Sequence, residues 1–128
     1  MAVKTYRQEI KQLLTPIQTI LLEQRIRAIL SADDHSGPDG SYRIRSVYFD
    51  TFDDRAYEEK EAGISEREKI RIRFYDYSDS LIRLERKEKR ENLISKDSVP
   101  ITREMADAAF SRNYEPLLAA RSPLADYV

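Results

Sequence analysis

Between Lys69 and Lys89 the chain alternates between charged and apolar residues with a period of two, a repeat that suits a strand and not a helix. Lys69, Arg71, Arg73 and Tyr75 fall on one face against Ile70, Ile72 and Phe74. After the polar stretch Asp76 to Ser80, a second run sets Leu81, Arg83, Glu85, Lys87 and Lys89 against Ile82, Leu84, Arg86 and Glu88. The pattern predicts an antiparallel hairpin whose apolar side seeks a core and whose other side is rich in cations. From Lys69 to Arg90 there are eight basic residues and four acidic ones. The whole chain has a formal net charge of −1. Attraction to an anion therefore has to come from where the charges sit, not from the overall balance.

The flanking sequence predicts the rest of the fold. Tyr6 to Lys11 alternates and reads as a first strand, with Arg7, Glu9 and Lys11 on one face. Thr15-Pro16-Ile17-Gln18 reads as an N-cap, a first-turn proline and a capping-box glutamine, opening a helix that ends near Leu30. Ser31 to Ser41 is a loop, and Tyr42 to Asp50 is a strand dense in β-branched and aromatic residues. Thr51 to Asp54 starts a short helix that stops at Gly63. Leu93 to Pro100 forms a further strand that Pro100 should end, because proline has no N–H for a ladder. Thr102 caps a helix through Phe110, and an apolar helix follows over Tyr114 to Leu124, interrupted near Pro116 and Pro123. The expectation is one α+β domain over residues 1–128, built on an antiparallel sheet with flanking helices.

Composition removes several chemistries. With no cysteine there are no disulfides, thiol nucleophiles or thiolate metal sites, and no apolar run is long enough for a signal peptide or transmembrane helix. We expect a cytoplasmic protein with no direct membrane insertion. The single histidine, His35, lies in the polar loop and reads as a surface or loop-bracing residue. Gly37, Gly40 and Gly63 form no phosphate-loop pattern. What remains is the cationic stripe. Charged stripes are commonly just solvated faces. This one is rich in arginine, whose planar fork suits bidentate phosphate contacts. Glu9 sits between Arg7 and Lys11, and Glu85 between Arg83 and Lys87. Carboxylates so placed either hold a divalent cation or keep the neighbouring cations oriented. A nucleic-acid-binding sheet would interleave aromatics with the cations, and only Tyr75 is expected on their side, so no nucleic-acid partner is expected.

Four segments in order, Tyr6 to Lys11, Tyr42 to Thr51, Arg67 to Tyr75 and Leu84 to Lys87, resemble the VTC domain. That is the catalytic domain of the vacuolar transporter chaperone polyphosphate polymerase and its bacterial relatives, among the CYTH-like triphosphate tunnel metalloenzymes. The resemblance runs from about residue 5 to 105. It implies an antiparallel β tunnel or half-barrel in which inward Arg and Lys grip ATP, polyphosphate or another triphosphate. Acidic residues there would bind Mn²⁺ or Mg²⁺. By position, Arg71 and Arg73 match the paired arginines of the family's R-x-R strand, Lys87 the lysine of its E-x-K strand, and Glu9 and Lys11 the opening E-x-K. Arg71, Arg73 and Lys87 would thus be the catalytic set, joined by Lys11, Arg45 and Lys96 in phosphate binding, with Glu9 and Glu85 at the metal. The implied reaction is transfer of the γ-phosphoryl group of ATP to a polyphosphate chain, and some relatives hydrolyse triphosphate instead. The other readings are a non-catalytic module for polyphosphate, nucleotide or inositol pyrophosphate, and a purely structural domain. Family domains are longer, with a second half that adds basic strands and a metal-binding carboxylate. The chain is therefore expected to be a truncated domain, completed by a second copy, a partner or the missing C-terminal half.

Overall fold

In the computed structural model of the chain, which describes residues 4–119, the alternating stretch forms the two longest strands. Elements are numbered in chain order: β1 Arg7–Gln8, α1 Pro16–Arg27, β2 Ile44–Phe49, α2 Arg55–Glu61, β3 Glu66–Tyr75, β4 Ser78–Arg90, β5 Leu93–Ile101, α3 Arg103–Phe110 and α4 Glu115–Ala119. The five strands make one open sheet in the order β1-β5-β4-β3-β2, every neighbouring pair antiparallel. The fold is α+β, an open half-barrel-type sheet with flanking helices. The chain divides into two compact units, one of Met1–Glu9 with Arg43–Val128 and the other of Ile10–Tyr42.

The first unit carries the sheet. Ile70, Ile72 and Phe74 of β3 and Ile82 and Leu84 of β4 point to one face, where Ala106 and Ala109 of α3 and Leu117 of α4 complete a buried core. Burying an Ile or Leu side chain is worth about 1.5–3 kcal/mol, so this small cluster drives the docking of α3 and α4. Phe110 closes it, with ring centroids 6.5 Å from Phe49 and 6.0 Å from Phe74. The Thr102 side chain caps α3 by accepting the Met105 N–H.

Three details depart from expectation. The β3–β4 turn is tighter than Asp76 to Ser80: Tyr75 pairs with Ser78, and Asp76 and Tyr77 take φ of 52° and 56°. Positive φ at both central positions is the type I′ geometry that matches strand twist, at a steric cost for residues other than glycine. Here Arg43 offsets that cost. Its N–H donates to the Asp76 carboxylate at 2.7 Å, its carbonyl accepts the Asp76 N–H, and its guanidinium reaches the Tyr77 hydroxyl at 2.6 Å. The second departure is β5, which runs through Pro100 to Ile101. β1 pairs with Leu93 and Ile94, and among the described residues no strand pairs with the outer side of β5 beyond them, an edge position where Pro100 is tolerated. The third is β1 itself. Arg7 lies opposite Ile94 and Gln8 opposite Leu93, where β5 begins, so the strand ends at Gln8 for want of a partner. In α2, Asp50 supplies the cap: its carboxylate accepts the N–H groups of Thr51, Ala56 and Tyr57.

The second unit holds α1. Its start matches the sequence reading: the Thr15 hydroxyl accepts the Gln18 N–H at 3.2 Å and the Gln18 side chain accepts the Thr15 N–H at 2.9 Å, a reciprocal capping box. The helix ends at Arg27 and buries none of its residues. The apolar helix expected over Tyr114 to Leu124 is seen as α4 over Glu115–Ala119, and the remainder of that expectation lies outside the described residues.

Candidate functional site: a cationic sheet face

The face opposite the core is ordered by strand register into rows that run across the sheet. One row is Tyr48, Arg71, Glu85 and Ser98, from β2 through β5. The next is Ser46, Arg73, Arg83 and Pro100, and on the other side Lys69, Lys87 and Lys96 line up. Side chains directly opposite one another in antiparallel strands share a face and stand about 5 Å apart, so six cations are gathered on three strands.

Glu85 is at the centre of this face and only 1% exposed. Its Oε2 lies 2.6 Å from Arg71 Nε and 4.0 Å from Arg73 Nε, and its Oε1 lies 2.9 Å from Lys96 Nζ. The Lys96 ammonium is the partner of Oε1, which is otherwise buried. The arginines are held again from β2: Arg71 Nη1 donates to the Tyr48 hydroxyl at 3.2 Å, and Arg73 Nε to the Ser46 hydroxyl at 3.3 Å. Arg83 donates to Ser98 at 3.1 Å. Lys87 pairs with Glu9 at 3.1 Å.

The titration behaviour fits a crowded cationic field. Burial works against the Glu85 carboxylate, but Lys96 and Arg71 outweigh it and hold the group below the usual glutamate value. Lys69 is pushed below the ordinary lysine value, first by burial and then by repulsion from Lys60, Arg67 and Lys87. A lysine disfavoured in its charged form by its neighbours marks a place where an added anion would be welcome. Nor is this an ordinary solvated face, since the Arg71 and Arg73 side chains are only 17% and 19% exposed.

The structure sorts the sequence-derived candidates. Arg71, Arg73, Lys87, Lys96 and Glu85 lie on the cationic face, and Glu9, just beyond β1, reaches it through Lys87. Arg45 does not: it pairs with Phe74 and therefore shares the core-facing side of the sheet. Lys11 lies past the end of β1 in the Ile10–Tyr42 unit and is not one of the strand residues. Four members were missed as site residues. Arg83 and Lys69 lie on the same stripes as Glu85 and Arg71 and could have been included on spacing alone. Tyr48 and Ser46 could not, because their facing depends on the β2–β3 register. Tyr48 thus joins Tyr75 on the cationic side.

A divalent metal does not fit the two carboxylates as they stand. Mg²⁺ would need its oxygen ligands at about 2.1 Å. Around Glu85 that space is bounded by three cationic side chains, and Glu9 is engaged by Lys87. Among the described residues no cluster of three or more acidic or histidine side chains could hold a metal ion. A hollow of about 400 Å³ elsewhere in this unit is lined by Phe49, Asp50, Arg55, Glu68, Ile70 and Glu88, among others. Its charges largely answer one another: Arg55 pairs with Glu59, Arg86 with Glu68, and Arg90 with Glu88.

The VTC domain family model matches residues 6–125. The chain belongs to the VTC domain family. No curated protein and no solved structure matches it significantly. The paired arginines of this VTC domain occupy alternate positions of an interior strand, anchored from β2 by Tyr48 and Ser46 and from β4 by Glu85. Among its described residues no helix is long and apolar enough to cross a membrane.

Proposed function

We propose that this VTC domain binds the phosphate chain of ATP or polyphosphate on the cationic sheet face and takes part in transfer of the γ-phosphoryl group to a polyphosphate chain. Membership of the family supports a role related to polyphosphate synthesis. The single observation that carries the finer reading is the register that sets Arg71, Arg73, Arg83, Lys87 and Lys96 side by side on three strands. Phosphoryl transfer asks a protein chiefly to position phosphates and neutralise their charge, and a row of cations does both. Arginine forks take phosphate oxygens in pairs, while lysines act as point charges along the chain.

The deciding experiment follows ADP release and polyphosphate chain growth from ATP in the presence of Mn²⁺. Both products should appear together and vanish in Arg71→Ala. ATP or polyphosphate binding with neither product would leave a phosphate-binding module without turnover. One observation favours that second reading: both carboxylates of the face are already committed to cations, which leaves the anion grip intact but supplies no metal ligands.

A further inference from the structure

The buried carboxylate at the centre of the cationic face has a role that the phosphate-binding reading does not itself assign. We infer that Glu85 is a positioning residue, a built-in counter-ion that fixes Arg71, Arg73 and Lys96 for phosphate binding, and not a metal ligand. The inference rests on the reading of this face as a phosphate site and adds to it the means by which the cations are held.

What Glu85 fixes follows from which arginine nitrogens are occupied. Arginine has five N–H donors in a rigid fork. Arg71 uses Nε on Glu85 and one Nη1 hydrogen on Tyr48, so three donors remain, including the whole of Nη2. Arg73 is also anchored by Nε, to Ser46, with Glu85 4.0 Å away. Both arginines are thus tied at the near edge of the fork, and the donors suited to bidentate phosphate contact stay available. Lys96 arrives from the opposite strand, on β5, at 2.9 Å from the other carboxylate oxygen. One negative charge therefore organises three positive ones and leaves a local excess of about two, which suits a multiply charged phosphate chain. A cluster of three cations with no such centre would splay apart or pay heavily for burial.

The metal-ligand alternative makes opposite predictions, and Glu85→Gln separates the two. The amide keeps the shape and removes the charge. On Coulombic grounds alone, losing a negative charge should tighten anion binding. Loss of a metal ligand should leave metal-free binding unchanged or tighter. A positioning role predicts the reverse, because a hydrogen bond to a charged group contributes enough that its loss weakens binding by about tenfold or more.

The test has two arms. In the first, inorganic tripolyphosphate is titrated calorimetrically into wild-type protein and Glu85→Gln in EDTA, so that no metal can contribute. The expected result is about tenfold weaker binding by the variant. Equal or tighter binding overturns the inference. In the second, nitrogen-detected NMR of the arginine side chains is recorded on the ligand-free wild type. Arg71 Nε–H should give a protected resonance with slowed guanidinium rotation, and Glu85→Gln should release it. An Arg71 signal averaged like that of a surface arginine overturns the inference even where the variant fails to fold. Absence of tripolyphosphate binding by the wild type would defeat the phosphate reading, and the NMR arm would then decide alone whether Glu85 holds the guanidinium.

Discussion

At the residue scale, the behaviour of this face turns on a few charged side chains that share a small volume. Arg71→Ala and Arg73→Ala should each weaken tripolyphosphate binding by about ten- to a hundredfold, the range expected when a charge-assisted hydrogen bond is lost. Arg45→Ala, on the other side of the sheet, should leave it within about twofold, since it removes only distant, screened charge. Calorimetry on the three variants checks this contrast. Lys69 supplies a second prediction. Its charged form is disfavoured by burial and neighbouring cations, so a bound polyanion should raise its pKa and draw a proton from solution. Binding measured above neutral pH in buffers of different ionisation enthalpy should therefore show net proton uptake, which Lys69→Met should diminish. Glu85 gives the corresponding stability effect. Its folded-state pKa lies below the ordinary 4.5, so its ionised form contributes stability that is present above that value and is lost as pH falls through the lower folded value. Urea unfolding at pH of about 5 and about 3 should show a larger loss for the wild type than for Glu85→Gln.

At the scale of elements, the sheet divides its work between two faces. Leu84 and Ile72 lie beneath the cations on the core side, each fully buried. Leu84→Ala should destabilise the sheet unit by about 2–5 kcal/mol, measured by denaturant unfolding, because α3 and α4 cannot refill the space it leaves. The paired strands were legible because period two fixes which residues share a face once a strand is assumed, so Arg71, Arg73, Glu85 and Lys87 were grouped correctly within their strands. The α1 capping box was legible for a similar reason: cap and partner are three residues apart, and the chemistry is local. Where the outcome depends on a neighbouring strand, local pattern does not reach it. The β1 end, the passage of β5 through Pro100 and the facing of Arg45 each depend on where another strand starts or stops. The Asp76-Tyr77 turn likewise depends on Arg43, more than thirty residues earlier in the chain.

At the scale of the molecule, the cationic face proposed to bind phosphate is a property of assembly, since it draws on four strands, β2 to β5. Among the described residues the sheet is open, with β1 and β2 as its edges, so the cations line one side of a half-barrel-type sheet. Binding to such a face should depend strongly on ionic strength at its rim and less so at Glu85, where solvent is excluded. By itself the sequence determined the antiparallel hairpin, the α+β class, the kinship with the VTC domain and the cationic character of one strand face, because alternation, capping and ordered motifs are written in neighbouring residues. Only the tertiary structure decided which cations meet, that Glu85 is buried among them, and that Arg45 is turned away. Those outcomes follow from strand register and burial, which are set by contacts between residues far apart in the chain.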